Sequence, residues 1–354
     1  MNYPDNSFFD EKDILLLTRE FCIESVDYVQ PVFSGIINNT YIVGSSTANH
    51  KYILQKLHNI FSFNLLHDIE EVTSHLASNG ILTPRLINSQ SGLPGIKKGN
   101  DIWRMMTFIP GRTVSKASPA VAESAGKMLA RYHKVFVGFD YEFKHKIPGY
   151  HDAENSIQRL ISAKSDFSCI EKNKKLENLI HFVLDQYDKK TFDLSDLPKR
   201  VVHGDPKLSN FIFDDSEDKA ICLVDLDTFS NDNVAVELGD AVRSFCHMRD
   251  VVDSALFNKA IFTAFISGYL SIADFLTKQE ISDIIKGVKF VTLDLCARYI
   301  TDAYEEKYFK LDSSKYSSLF EQNSAKALSL VNFYTEINMN EQQLNDIVEN
   351  CCSY

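Results

Sequence analysis

Apolar and polar side chains alternate through residues 27 to 57 in three stretches, "VDYVQPVFSG", "NTYIVGSS" and "KYILQKL". This period of two predicts an antiparallel meander of three strands. Gly35 and the Asn38-Asn39 pair supply turn chemistry between the first two. A short helix is expected ahead of them, around residues 10 to 20. After them the period changes: Leu65, Leu66, Ile69, Val72 and Leu76 recur at helical spacing, and Asn79-Gly80 ends the run with a C-terminal cap signal. Two more short strands are expected in residues 84 to 110, "PRLINS" and "DIWRMMTFIP", before Pro110-Gly111 breaks the pattern.

Beyond the breaker, helical periodicity dominates at 118 to 136, 154 to 162, 171 to 188, 236 to 248, 255 to 275, 280 to 304 and 315 to 336. One interruption, at 200 to 230, reads as two apolar strands, "NFIFD" and "AICLVDLDTF", joined by the turn "DSEDK". The tail "NMNEQQLNDIVENCCSY" fits either a helix or a disordered end. A chain of 354 residues exceeds the size at which one core stops growing. The predicted class is α+β and bilobal. A small antiparallel-sheet lobe with one helix spans 1 to 109, and a larger, mostly helical lobe carrying the hairpin spans 110 to 354. A cleft between such lobes is where ligands commonly bind.

Composition adds exclusions. With 44% hydrophobic and 24% charged residues the chain is globular in type. A formal net charge of −11 argues against a surface built for nucleic-acid phosphates or anionic lipid, so neither partner is expected. The seven cysteines are odd in number and form no C-x-x-C pair, which suits reduced thiols in a cytosol. The acidic start "MNYPDNSFFDEKD" lacks the pattern of a secretory signal, so a cytoplasmic location is expected. The stretch "AIFTAFISGYLSIADFL" falls short of the ~20 apolar residues of a membrane span and reads as a buried helix. The expected partner is a small-molecule acceptor, bound by a monomer or homodimer.

The chemistry concentrates in "VVHGDPKLSNFIF", residues 201 to 213. A buried strand has no use for His, Asp, Lys and Asn in one short run, because each unpaired polar group costs ~1–3 kcal/mol. Asn210 lies five positions after Asp205, and Asp225 follows fifteen later at the end of "ICLV". Phosphoryl transfer needs its parts in this order: a carboxylate to take the acceptor proton, an amide oxygen on Mg²⁺, and another carboxylate on the metal. Were the strand to continue through Asp225 and Asp227, both would project to one side and suit a pair of Mg²⁺ ions. Lys207 could reach the γ-phosphate and offset its charge. Alone, Asp205 and Lys207 would read as a solvated turn; their companions and the following "ELGDAVR" argue otherwise. His203 is expected to brace the loop by hydrogen bonding.

The combination "VVHGDPKLSNFIF…ICLVDLDTF…ELGDAVRSF" resembles the aminoglycoside phosphotransferase and choline kinase superfamily, which has a protein-kinase-like fold. Within it the chain is most similar to N-acetylhexosamine 1-kinases. Four stretches between residues 52 and 309 carry that likeness: "YILQKLHNIF", "IPGYHD", "HGDPKLSN…LVDLDT…GDAVR" and "ARYITDAYEEKYF". The resemblance implies an ATP- and Mg²⁺-dependent kinase that passes the γ-phosphate to a sugar hydroxyl. Asp205 is the implied base and Lys207 its helper, with Asn210, Asp225 and Asp227 on the metal. It also implies a third-strand lysine on the phosphates, Lys56, paired with Glu70 or failing that Glu71. No G-x-G-x-x-G or G-x-x-x-x-G-K is present, so "SGIINNTYIV" would cover the phosphates through Gly35, Asn38, Asn39 and Thr40. The backbone at Thr107 and Phe108 would meet the adenine edge, with Met105 or Met106 nearby. Acceptor contacts are implied for Asp152, Arg243, Arg298 and Tyr304, with Asp240 either a cap or the partner of Arg243. Other members of the superfamily phosphorylate choline or ethanolamine, homoserine, methylthioribose or aminoglycosides. The alternative from another class is a nucleotide-binding pseudokinase, which would have no need for the complete set of Asp205, Asn210 and Asp225.

Overall fold

The computed structural model describes residues 10–23, 26–32, 37–45, 50–147, 149–166, 170–215, 218–248 and 256–352. Gly35, expected at a turn, lies outside the described residues. The chain divides into two compact units.

The N-terminal unit runs to Gly111 and takes in Asp140–Ile147. Helix α1 (Glu11–Glu20) is capped by the Asp10 carboxylate, which accepts from the Lys12 N–H. Strands β1 (Tyr28–Val32), β2 (Asn39–Ser45) and β3 (His50–Lys56) pair antiparallel in sequence order, as the alternation predicts. Tyr41, Val43 and Leu54 turn inward to meet Ile14 and Leu17 of α1 in one apolar cluster. Helix α2 (Asn64–Ser78) follows, then β4 (Leu86–Ile87), β5 (Ile96–Lys98) and β6 (Asp101–Thr107). The sheet order is β1-β2-β3-β6-β4, with β5 also on β6. Strand β5 escaped the sequence pattern because it is short and two of its residues are exposed lysines, normal for an edge.

Residues Asp140–Ile147 join this unit through Asp68 of α2, which is almost fully buried. Its carboxylate accepts from the Tyr141 hydroxyl at 2.7 Å, the Lys144 N–H at 3.1 Å and the His145 N–H at 2.8 Å. Several donors on one carboxylate offset the cost of burying it. Nothing in the local sequence marks this return of the chain.

In the second unit, α3 (Pro119–Val135) starts at a Ser118 cap followed by proline in the first turn. Next come α4 (Ala153–Asp166), α5 (Ile170–Gln186), β7 (Arg200–Val202), β8 (Phe211–Phe213), β9 (Ala220–Leu223) and β10 (Ser230–Asp232). The chain closes with α6 (Val234–Cys246), α7 (Lys259–Leu270), α8 (Lys278–Ser282), α9 (Ile284–Glu305), α10 (Leu319–Met339) and α11 (Glu341–Cys351). The tail is therefore helical through Cys351. Strand β8 pairs with β9 as the expected hairpin, and β10 folds back on β7. Helix α9 packs on α6 at a glycine crossing. A Cβ on Gly239 would lie 2.4 Å from the Gly287 carbonyl oxygen, so the two backbones touch.

Helix α7 buries Phe262, Phe265, Ile266 and Tyr269 completely, as a core helix should. Among the described residues no helix is long and apolar enough to cross a membrane. The described cysteines are free thiols.

Candidate active site

The loop from His203 to Asn210 links β7 to β8, and its shape is fixed residue by residue. Gly204 has φ +85°, and a Cβ there would sit 2.3 Å from the Thr228 carbonyl oxygen, so no other residue fits. The Thr228 hydroxyl donates to the His203 carbonyl at 2.8 Å. His203 is fully buried. Its Nδ1 accepts from the Asp205 N–H at 3.3 Å, which places the proton on Nε2, 2.9 Å from the Val224 carbonyl oxygen. His203 thus braces the loop, as its position suggested. Tyr150 donates its hydroxyl to the Gly204 carbonyl at 2.8 Å. Glu237 accepts from the backbone N–H of His203 and of Gly204, each at 2.9 Å.

This frame gathers four side chains. Lys207 Nζ lies 2.5 Å from Asp205 Oδ2 and 3.6 Å from Asp225 Oδ2. The Asn210 side-chain N–H donates to the Asp205 carbonyl at 2.9 Å and to its carboxylate at 3.3 Å. The Val224 N–H in turn donates to the Asn210 carbonyl at 2.8 Å, which ties the two sides of the hairpin together. Burial holds the Asp205 carboxyl above its ordinary range; Asp240 and Asp225 add to that rise and Lys207 opposes it. Burial disfavours the Lys207 ammonium, but Asp205 and Asp225 outweigh it and hold its pKa above the usual lysine value.

The expectation that Asp225 and Asp227 share a strand face is corrected. Strand β9 ends at Leu223, Asp225 takes a left-handed φ of 66°, and a 3-10 turn covers Leu226–Thr228. Asp225 leaves 43% of its side chain exposed, whereas Asp227 is buried at 3%. The strand has ended before either residue, so alternation does not apply. Among the described residues no group of three or more His, Cys, Asp or Glu side chains is placed to hold a metal. Asn210 and Asp225 offer two hard oxygen donors instead, which fits a small cation that keeps waters and phosphate oxygens in its shell.

On the acceptor side the positions separate. Arg243 donates through Nε and Nη2 to Asp240 Oδ1 at 2.9 and 2.6 Å, both residues being buried. Arg298 donates to the Tyr308 hydroxyl at 2.6 Å, stacks over the Tyr308 ring at 5.0 Å, and lies 3.8 Å from Asp294 Oδ2. Arg298 and Tyr308 help line a small, open cavity with Ser156, Arg159, Thr301, Asp302 and Glu305. Asp152 Oδ1 accepts from the Asn155 N–H at 3.0 Å and caps α4, which gives it a structural task. Tyr304 is corrected outright. It is 2% exposed in the core formed by α4, α5, α9 and α10, and its hydroxyl donates to Asn173. The tyrosine at the cavity is Tyr308, held there because Asp302 accepts from the N–H groups of Lys307, Tyr308 and Phe309. Tyr304 lies in the last turn of α9 and Tyr308 beyond its end, but three tyrosines within ten residues gave the sequence no means to choose between them.

In the N-terminal unit, Lys56 meets Asp101 at 2.8 Å across the β3–β6 pair. Glu70 is half-buried on α2 and Glu71 is exposed. Asn39 and Thr40 open β2, and the Thr40 hydroxyl accepts from Gln55, which itself accepts from Arg104. Thr107, expected near the adenine edge, ends β6. Its N–H donates to the Arg85 carbonyl and its hydroxyl accepts from the Arg85 N–H, both at 2.9 Å. Phe108 follows the end of β6, with the Lys51 ammonium 5.5 Å above its ring.

Comparison with known proteins agrees with this chemistry. Residues 29–275 match the model of the phosphotransferase enzyme family, and the chain belongs to that family. It is a phosphotransferase of the kind that uses an alcohol group as acceptor. A homoserine kinase from Methylobacillus flagellatus is 24% identical over 239 residues, spanning 67% of this chain and 69% of that protein. An aminopropanol kinase associated with a microcompartment superposes with a TM-score of 0.66 at 12% identity, covering 96% of this chain and 99% of that one. An aminoglycoside phosphotransferase from Alicyclobacillus acidocaldarius superposes with a TM-score of 0.63 at 12% identity, over 96% and 98%. At such identities the superpositions show a shared fold, the protein-kinase-like α+β fold the sequence implied.

Proposed function

We propose that this phosphotransferase is an ATP- and Mg²⁺-dependent cytoplasmic kinase that phosphorylates a hydroxyl of a sugar, of the N-acetylhexosamine kind. The observation that carries the chemistry is the contact set of Asp205 with Lys207 and Asn210, with Asp225 on the far side of Lys207. Asp205 would orient the acceptor hydroxyl and take its proton as the oxygen attacks the γ-phosphorus in line. Asn210 spends its N–H groups on Asp205, so its Oδ1 is the atom left for a metal, and Asp225 would supply a carboxylate oxygen beside it. Mg²⁺ bound there would neutralise phosphate charge. Lys207 would then share its ammonium with the transferring phosphoryl group. Lys56, Glu70, Asn39, Thr40 and Phe108 are assigned to the nucleotide by the family resemblance, and the buried Asp227 to the turn that follows Asp225.

Charge pairing favours a sugar over a cationic acceptor. In this unit three carboxylates already face a cation of the chain: Asp205 faces Lys207, Asp240 faces Arg243, and Asp294 faces Arg298. An ammonium head group would have to compete with these three cations for their carboxylates, and burying it unpaired is costly. Neutral hydroxyls can use the N–H groups of Arg298 not given to Tyr308.

The test is product identification by mass spectrometry and ³¹P NMR with N-acetylhexosamines, amino alcohols, homoserine and aminoglycosides, with and without Mg²⁺. A phosphorylated N-acetylhexosamine is expected, with kcat lowered ~10²–10⁴-fold in Asp205→Asn and nucleotide affinity nearly unchanged. Product from a cationic acceptor alone would overturn the sugar assignment. No product from any acceptor would return the pseudokinase.

A further inference from the structure

We propose that Glu237 is a positioning residue for Asp205, and that His133, held by Tyr269, orients the Glu237 carboxylate. This rests on the reading of Asp205 as the base. Glu237 sits on α6, is 1% exposed, and accepts through Oε1 from the His203 N–H and through Oε2 from the Gly204 N–H. These are the two N–H groups immediately ahead of Asp205, so the carboxylate grips the peptide planes that aim it. On α3, His133 Nε2 lies 3.4 Å from the same Oε1, and its Nδ1 is 2.8 Å from the hydroxyl of Tyr269 on α7. With that hydroxyl donating to Nδ1, the remaining ring proton points at Glu237.

No lysine or arginine among the described residues pairs with Glu237; the titratable groups facing it are His133, His203, Tyr132 and Tyr269. Burial disfavours its charge, yet the His133 bond, the His133 and His203 rings and the Gly204 N–H hold its pKa below the ordinary carboxylate range. Three helices could pack here with apolar side chains at less cost, since a buried carboxylate is expensive unless it is fully hydrogen-bonded. The chain Tyr269, His133, Glu237 ends on the catalytic loop and joins α7, α3 and α6 to it. A displacement of about 1 Å at the base costs ~10²-fold in rate, so the network acts through geometry.

The test compares Glu237→Gln, His133→Leu, His133→Gln and Tyr269→Phe for kcat, for KM of nucleotide and acceptor, and for amide hydrogen exchange of the peptide containing His203 and Gly204. We expect kcat to fall roughly 10²-fold in Glu237→Gln, less in His133→Leu and least in Tyr269→Phe, with both KM values unchanged. His133→Gln, which can still donate toward Glu237, should recover part of the loss. Exchange at 203–204 should quicken in the same order whichever acceptor is supplied. If Asp205→Asn keeps its activity while exchange still quickens, the base assignment fails and the grip on the loop stands. Wild-type kcat in folded Glu237→Gln, or unchanged exchange in all variants, overturns the proposal. Should Glu237→Gln not fold, Tyr269→Phe and the His133 pair decide: a change confined to melting temperature overturns it.

Discussion

The Lys207 ammonium stands between two carboxylates, 2.5 Å from Asp205 and 3.6 Å from Asp225. One cation therefore limits the repulsion between them while leaving both in reach of solvent, since their side chains are 22% and 43% exposed. A Lys207→Met chain loses that compensation and also the charge that would meet the phosphoryl group. We expect kcat to fall roughly 10²-fold, the cost of removing one electrostatic donor from a transition state. Lys207→Arg should recover only part, because a planar guanidinium does not reproduce a compact ammonium. Steady-state kinetics on folded variants checks this, and wild-type turnover in Lys207→Met would remove lysine from the chemistry.

Asp225 and Asp227 should behave differently despite their spacing. Asp225 is the exposed one, at the left-handed residue that ends the β9 run, and Asp227 is buried in the following turn. Asp225→Asn should raise the Mg²⁺ concentration for half-maximal activity by at least about 10-fold. Asp227→Asn should leave that concentration unchanged and lower the melting temperature. A Mg²⁺ titration of both variants is the measurement, and a larger shift from Asp227 than from Asp225 would reverse the assignment.

Much of this was legible in the chain because the signals were local. The meander, α2, the breaker at Pro110-Gly111 and the hairpin at 211–223 each carry their own periodicity or turn residues. The motif from Asp205 to Asn210 is read from five consecutive spacings. What stayed hidden depends on distant partners. Strand β10 exists because β7 lies beside it, 28 positions earlier at the paired residues Val202 and Ser230. Glu237 in "ELGD" looks like a solvated helix residue until the N–H groups of His203 and Gly204 are placed against it. The Asp225 to Asp227 reading failed for a different reason: strand alternation was extended past the point where a positive φ ends the strand.

Tyr304 and Arg298 provide a contrast on one helix. Tyr304 donates to Asn173 inside the apolar core, whereas Arg298 reaches the cavity and Tyr308. Tyr304→Phe should cost about 1 kcal/mol of stability for the lost hydrogen bond and leave the acceptor KM unchanged. Arg298→Met should raise the acceptor KM and leave the nucleotide KM alone. Urea unfolding and initial-rate kinetics separate the two effects. An acceptor KM that responds to Tyr304→Phe alone would restore the sequence-based assignment.

The pair Arg200 and Glu280 gives a pH test independent of the transfer chemistry. Glu280 caps α8 with Thr277, is 0% exposed at its side chain, and accepts from Arg200 Nε at 2.6 Å and Nη2 at 2.9 Å. Burial works to raise its pKa, but the Arg200 bonds and the Thr277 N–H prevail and hold it below the ordinary value. A carboxylate depressed in the native state adds stability that is complete above the unfolded pKa of ~4.3 and is lost as pH falls through the lower native value. At neutral pH, Glu280→Gln should therefore be about 2 kcal/mol less stable than the parent chain. Below the unfolded pKa that gap should narrow steadily, because the parent is losing a charge the variant never had. Urea unfolding of both proteins along a descending pH series measures the gap, and a gap that stays constant from neutral into acid would mean that Arg200 does not depend on Glu280 being ionised.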